Sequence, residues 1–298
     1  MRIARRQFIA QVISARALLG VLGGPAHAGS KSEAKGLPRC TAAREEPFTF
    51  AVVADPHCSE KAKPHIEQYG TGVDKFRACV HAMERLPQRE RPDFVLVVGD
   101  IHVAAFKQVL KDVAIPVHAI AGNHESSPLL RKELRDMFPQ DFKSDDREAD
   151  YYSFVHKSVR FVGICDAGLG GEHVGQLCSE NIMPRGQCEW IERELNQREA
   201  RKIVFAHIPP DPLGQDRNSY MSRNDSRWFN DVVHRSGPEA MFFGHLHRET
   251  EEYLIGGTRC FNVRSCCWNF GNASLGFLLV QVVPDKLVIR EIETGLYS

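Results

Sequence analysis

Five apolar runs in this chain each stop at a histidine, an aspartate or an asparagine. Phe50-Ala51-Val52-Val53-Ala54 leads to Asp55 and His57, Phe94–Gly99 to Asp100, Pro116–Gly122 to Asn123 and His124, Ile203–Ala206 to His207, and Met241–Gly244 to His245 and His247. Runs this short, rich in β-branched and aromatic residues, read as buried strands. Between and around them lie helical patterns over Val73–Leu86, Val103–Val113, Leu129–Phe138, Arg185–Gln197 and Ser226–His234. Tyr151–Val155 and Val159–Cys165 read as an antiparallel pair, with further strands expected near Thr250–Ile255, Cys260–Val263, Leu275–Val282 and Lys286–Ile292. The alternation predicts an α/β fold of mixed sheets covered by helices on the outside, in one domain.

Ligands of open α/β sheets bind beyond the carboxyl ends of the strands, so five polar strand ends imply one convergent site. Side chains two apart on a strand share a face, which predicts that Asp55 and His57 point to one place, and His245 and His247 likewise. Imidazole mixed with carboxylate suits divalent transition metals rather than calcium. Each residue alone has a plainer reading: Asn123 as a turn residue, Asp100 as the cap of the helix that follows, any single histidine as a satisfied polar group. The pattern as a whole reverses those readings.

The chain's 38 basic and 38 acidic residues are unevenly spread. Arg2, Arg5, Arg6 and Arg16 fall within residues 1–28, which carry no acid; taking these four away leaves 34 bases against 38 acids. A mildly acidic body argues against a nucleic-acid polymer held by phosphate neutralisation. The basic start, the apolar Phe8–Leu22 and the small-x-small site Ala26-His27-Ala28 read as a cleaved export signal over 1–28. Arg5-Arg6 followed by Gln7-Phe8-Ile9 makes it the twin-arginine type, so the export machinery is an expected partner and the protein is expected in the periplasm or secreted. Residues 29–46 read as a polar linker and 47–298 as the folded domain. Nine cysteines (Cys40, Cys58, Cys79, Cys165, Cys178, Cys188, Cys260, Cys266, Cys267) leave at least one unpaired within a chain, and their spacing does not fix the pairing.

The ordered motifs Asp55-x-His57, Gly99-Asp100, Gly122-Asn123-His124-Glu125, His207 and Gly244-His245-Leu246-His247 resemble those of the calcineurin-like metallophosphoesterase superfamily over roughly residues 47–298. Cys165-Asp166 with the glycine-rich loop to Gly175-Gln176, and His207-Ile208-Pro209-Pro210, are similar to its cyclic-nucleotide-phosphodiesterase-like branch. The resemblance implies a four-layer α-β-β-α sandwich and a pair of divalent ions, Mn, Fe or Zn. One would be held by Asp55, His57 and His247, the other by Asn123, His207 and His245, with Asp100 bridging. It further implies hydrolysis of small phosphate esters by a metal-bridging hydroxide, with His124 donating a proton to the leaving group. Val103 stands where the purple iron branch has tyrosine, so a tyrosinate-coloured centre is not expected.

Substrate contacts are sought in the loops, at Arg217 and Arg223, at Arg264 and Trp268, and at Asp166 and His173. Trp190 reads as core, and Glu125 as pointing away from His124 if the chain stays extended; His102, two residues from Asp100, is within reach of the site but reads more simply as a solvated loop position. Gly170–Gly175 ends in Gln176 where a phosphate loop needs lysine, which excludes that motif. The sequence leaves monoester against diester open, as well as oligomeric state. The competing reading is a metal-free interaction scaffold on the same fold.

Overall fold

A computed structural model of the chain describes residues 46–61, 67–167, 172–197 and 201–297. The expected export signal and nearly all of the linker lie outside the described residues, as do Cys40 and the start of the glycine-rich loop.

Strand β1 (Phe48–Val53) is followed by α1 (Gly72–Glu84), β2 (Phe94–Val98), α2 (Val103–Val109), β3 (Val117–Ile120) and α3 (Pro128–Met137). A short hairpin, β4 (Lys143–Ser144) and β5 (Arg147–Glu148), leads to β6 (Tyr152–His156), β7 (Val159–Gly163), α4 (Gln187–Leu195), β8 (Arg201–Phe205), α5 (Arg223–Ser236) and β9 (Ala240–Phe243). The chain then runs through β10 (Glu251–Ile255), β11 (Thr258–Asn262), β12 (Ser274–Val283) and β13 (Lys286–Tyr297).

These strands form two large mixed sheets, ordered β13-β12-β1-β2-β3 and β10-β11-β9-β8-β7-β6. In the first, β1, β2 and β3 are parallel while β12 and β13 run antiparallel to their neighbours. In the second, β7, β8, β9 and β11 are parallel, and β6 and β10 are antiparallel edges. The sheets meet through buried aromatics: the ring of Phe50 lies 5.2 Å from Phe161 and 5.9 Å from Phe242, both nearly perpendicular, and Phe94 lies 5.2 Å from Phe161. Each such ring, withdrawn from water, contributes roughly 1.5–3 kcal/mol. Helices α1–α3 pack on the first sheet's side, with α1 against β13, while α4 and α5 cover the second sheet against β7 and β10. The four layers α-β-β-α follow.

The predicted strands and helices agree with these to within a few residues. Two differ more: α2, expected to reach Val113, stops at Val109 and tightens into a 3₁₀ turn at Leu110–Asp112, and β13 continues past the expected Ile292 to Tyr297. The β4–β5 hairpin has no counterpart in the apolar pattern, since two-residue strands carry no periodicity. Trp190 is buried and packs 4.7 Å from Tyr151. Cys178 and Cys188 form a disulfide, and the other described cysteines are buried thiols. Among the described residues no helix is long and apolar enough to cross a membrane.

The two sheets are stitched together at one end. Ala54, just past β1, pairs with Ser265, just past β11, and Ser265 Oγ donates to the Asp55 carbonyl at 2.9 Å. That end carries all the polar strand termini.

Candidate metal centre

Five residues singled out at the strand ends share an unusual backbone. Asp55, His57, Asp100, His245 and His247 have φ of +49°, +39°, +52°, +72° and +48°, and His102 joins them at +57°. Asn, Asp and His tolerate this left-handed region better than other side chains, yet each such residue costs roughly 1–3 kcal/mol unless its surroundings hold it. Asp55 and His57 therefore do not converge by strand alternation, as expected from the sequence. β1 ends at Val53, and sharp left-handed turns aim both side chains inward. Space is equally constrained: a Cβ on Gly99, itself at φ +85°, would lie 2.4 Å from His207 Nδ1, and one on Gly122 would lie 2.2 Å from Asp100 Oδ1.

The side chains gather in two groups that share Asp100. Asp55, His57, Asp100 and His247 offer ligand atoms within 4.8 Å of one another, and so do Asp100, His207 and His245. Asn123 Oδ1 joins the second group, 3.0 Å from His207 Nε2. Asp100 Oδ2 lies 3.6 Å from His57 Nε2 and 3.3 Å from His207 Nε2, between the groups, while Oδ1 accepts the His124 backbone N–H at 3.0 Å. Asp55 accepts the backbone N–H of His245 at 3.0 Å and lies 3.4 Å from His247 Nε2.

The histidines are oriented from behind. His207 Nδ1 donates to the Val98 carbonyl and His247 Nδ1 to the Trp268 carbonyl, each at 2.8 Å. Fixing Nδ1 in this way turns Nε2 inward, the orientation that a ligating imidazole needs. His57 Nε2 and His247 Nε2 then face each other at 3.1 Å, and His245 Nδ1 faces His207 Nε2 at 3.2 Å. The buried His245 Nε2 has no hydrogen-bond partner. His57 Nδ1 instead faces His102 Nε2 at 3.3 Å and Glu60 Oε1 at 3.4 Å.

Burial alone would raise the pKa of Asp55 and Asp100, but His247 and His207 beside the first, and His207 and His57 beside the second, outweigh it and keep both ionised. Burial alone would lower His207, yet Asp100 and Asp55 lift it to about 10. His245 is pushed down to about 3 by burial and by its neighbour His207. The pocket thus favours a cation where His207 meets Asp100, and metal ions compete with protons for such a place. Nitrogen and oxygen donors with inward lone pairs, a shared carboxylate and an orphaned buried imidazole nitrogen fit a pair of borderline divalent ions.

His124 stands at the rim. It is 39% exposed at its side chain, with Nε2 3.9 Å from Asp100 Oδ2, facing a cleft of about 440 Å³ above both groups. The cleft is also lined by His173, whose ring lies 5.5 Å from that of His245, and by Trp268, 3.9 Å from His247. Arg217 lies there too, its guanidinium 4.3 Å over the Tyr220 ring and 3.1 Å from Asp211.

Three other loop candidates are elsewhere. Arg264 is a buried strut that binds Ser274 and Glu291 and lies 3.7 Å from Glu293. Arg223 pairs with Asp216, and Asp166 is fully buried, accepting the Ile208 N–H at 2.7 Å and so fixing the turn after His207. Asp100 does not cap α2; the residue before that helix is His102, which makes no side-chain cap. Glu125 lies in a 3₁₀ turn with Asn123 and His124 rather than on an extended stretch, and accepts backbone N–H groups from Gly122, Ile101 and His102, bracing the loops after β2 and β3. His102 overturns its sequence reading, since it is partly buried against His57. Glu60, Tyr220, Arg248 and Phe270 line the cleft without having been singled out. Adjacency to the strand-end motifs was the available signal for Glu60 and Arg248; nothing in the pattern marks the other two.

A family model described as calcineurin-like phosphoesterase matches residues 48–249. The probable glycerophosphodiester phosphodiesterase GpdQ of Arcobacter nitrofigilis is 26% identical over 174 residues, 54% of this chain and 57% of that protein. A cAMP/cGMP dual specificity phosphodiesterase of Mycobacterium tuberculosis is 25% identical over 251 residues, 76% of this chain and 74% of that one. The match thus spans a little over half the length of the glycerophosphodiesterase relative. A dimetal phosphatase from Danio rerio shares the fold at a TM-score of 0.61 and 18% identity, over 84% of this chain and 98% of that one.

Proposed function

Because this chain belongs to the calcineurin-like phosphoesterase family, we propose that it hydrolyses small phosphodiesters with two divalent transition-metal ions, Mn, Fe or Zn. Asp55, His57 and His247 hold one ion, Asn123, His207 and His245 the other, and Asp100 both. The carrying observation is the convergence of these seven side chains in two groups joined by one carboxylate. Such a pair of ions neutralises the non-bridging phosphoryl oxygens and makes water nucleophilic at neutral pH.

The chain's own groups do the rest. The His124 N–H fixes Asp100 Oδ1, which leaves Oδ2 directed between the groups. His124 itself, at the mouth of the cleft, gives a proton from Nε2 to the departing alkoxide and regains one from solvent. Arg217 and Arg248 supply positive charge along the wall for phosphate, while Trp268 and Phe270, with rings 5.1 Å apart, flank the organic group. A cleft of about 440 Å³ has room for the second ester group that a diester carries, and the relatives named above are diesterases.

Rates on bis-nitrophenyl phosphate, nitrophenyl phosphate, cyclic nucleotides and glycerophosphodiesters test this reading. Diesters should be preferred; faster turnover of the monoester would reverse the substrate class. Purified protein should contain close to two transition-metal ions per chain by elemental analysis and lose activity on chelation. Full activity in metal-free protein would remove the mechanism.

The proposal extends to location. Arg5-Arg6 and Ala26-His27-Ala28 support export by the twin-arginine machinery, with cleavage before Gly29. Changing both arginines to lysine should hold full-length precursor in the cytoplasm, whereas the unaltered chain should appear beyond the inner membrane. An exported protein whose first residue is Met1 contradicts the cleavage.

A further inference from the structure

A third group of side chains that could hold a metal ion adjoins the pair and shares only His57 with it. Glu60, His102 and His124 gather with His57, their ligand atoms within 4.8 Å of one another. His102 Nε2 lies 3.3 Å from His57 Nδ1 and 3.5 Å from Glu60 Oε1, and Glu60 Oε1 lies 3.4 Å from His57 Nδ1. The rings of His102 and His124 stack at 5.2 Å, 25° apart. We propose that Glu60, His102 and His124 form a third cation site beside the metal pair, taking a borderline divalent ion such as zinc, and that filling it withdraws His124 from the reaction.

Three observations carry this. First, the donors are directed. Ser59 Oγ engages His102 Nδ1, which leaves Nε2 facing the cluster, the arrangement by which an outer partner orients a ligating imidazole. Second, the two nitrogens of His57 face different groups, Nε2 towards Asp100 and His247, Nδ1 towards Glu60 and His102. Third, access differs. The ligands of the pair are buried, while the side chains of Glu60, His102 and His124 are 34%, 22% and 39% exposed, so an ion here has a path from solvent and is the exchangeable one. Imidazole with one carboxylate is a zinc-type donor set.

Binding needs the neutral tautomers of His102 and His124 with a lone pair turned to the ion, so any proton held at those atoms passes to solvent. It also commits a lone pair of His124 to the ion. The consequence for catalysis rests on His124 being the acid, as proposed above. With His124 Nε2 as the ligating atom, the nitrogen that would give the proton carries none, so esters with poor leaving groups lose their assistance.

The test starts from protein carrying two ions per chain, with zinc added in equilibrium dialysis and the metal counted. Wild type should take up one further ion, whereas Glu60→Gln and His102→Asn should each keep two and take up none. Asparagine is chosen at 102 because it accepts the +57° φ. In parallel, zinc should slow hydrolysis of alkyl diesters by roughly tenfold or more, nitrophenyl diesters far less, and the two variants not at all. A wild type that stops at two ions, or variants that still bind the third, would overturn the site while leaving the two-metal reading intact. Uptake of the third ion with equal loss on both kinds of ester would overturn the second half of the proposal and the acid role together, with the site itself standing.

Discussion

Asp100→Asn should lose metal and activity together, with the rate falling by at least the roughly 10²- to 10³-fold that removal of one electrostatic stabiliser costs. Two divalent ions about 3.5–4 Å apart need an anion between them; even unit charges at that spacing repel by ~4 kcal/mol at an effective dielectric of 20. The carboxylate supplies that charge from between His57 Nε2 and His207 Nε2. Asparagine keeps the shape and can still accept the His124 N–H that Asp100 Oδ1 accepts, so the fold should persist. Elemental analysis should therefore show fewer than two ions in a protein whose circular dichroism is unchanged. Two ions and a full rate would remove Asp100 as the bridge.

His124→Ala should behave differently. Its side chain lies at the rim, 3.9 Å from Asp100 and outside both ligand groups, so both ions should stay. The rate should fall by roughly 10²- to 10⁴-fold, the usual worth of a positioned acid. The loss should track the leaving group, because nitrophenolate departs without a proton and an alkyl or ribose alkoxide does not. Equal losses on nitrophenyl and alkyl esters would mean that His124 holds phosphate instead, and the acid role would fall.

The contrast between these two variants reflects how differently the two residues are built into the chain. Asp100 and Asn123 each end a parallel strand of the first sheet and His207 ends one of the second, and those strands are written in the sequence as uninterrupted apolar runs. That is why the α/β class, most elements and the residues that converge at the candidate site were legible. Apolar periodicity specifies burial, and burial on both faces specifies a central strand whose last residue must emerge at the sheet's end.

What the sequence could not convey is direction. Alternation along a strand predicts that Asp55 and His57 share a face, and the backbone instead turns left-handed at both, as it does at His245 and His247. Those conformations are unfavourable locally and persist because distant groups hold them: His245 N–H on Asp55, Ser265 Oγ on the Asp55 carbonyl, the His57 N–H on the Asp100 carbonyl, and the Trp268 carbonyl behind His247. The same holds for the cationic loops. Arg264 and Arg217 look alike in sequence, yet one is buried against Ser274 and Glu291 and the other opens onto the cleft. His102 reads as a loop residue until the fold brings it beside His57, 45 residues away. Which residues end the strands is readable from the apolar pattern, because hydrophobic patterning is a local, additive signal. Which nitrogen faces which oxygen, and whether a charged loop residue meets substrate or braces the fold, was decided by tertiary structure alone, because those hydrogen bonds and ion pairs join segments that only folding brings within about 3 Å of each other.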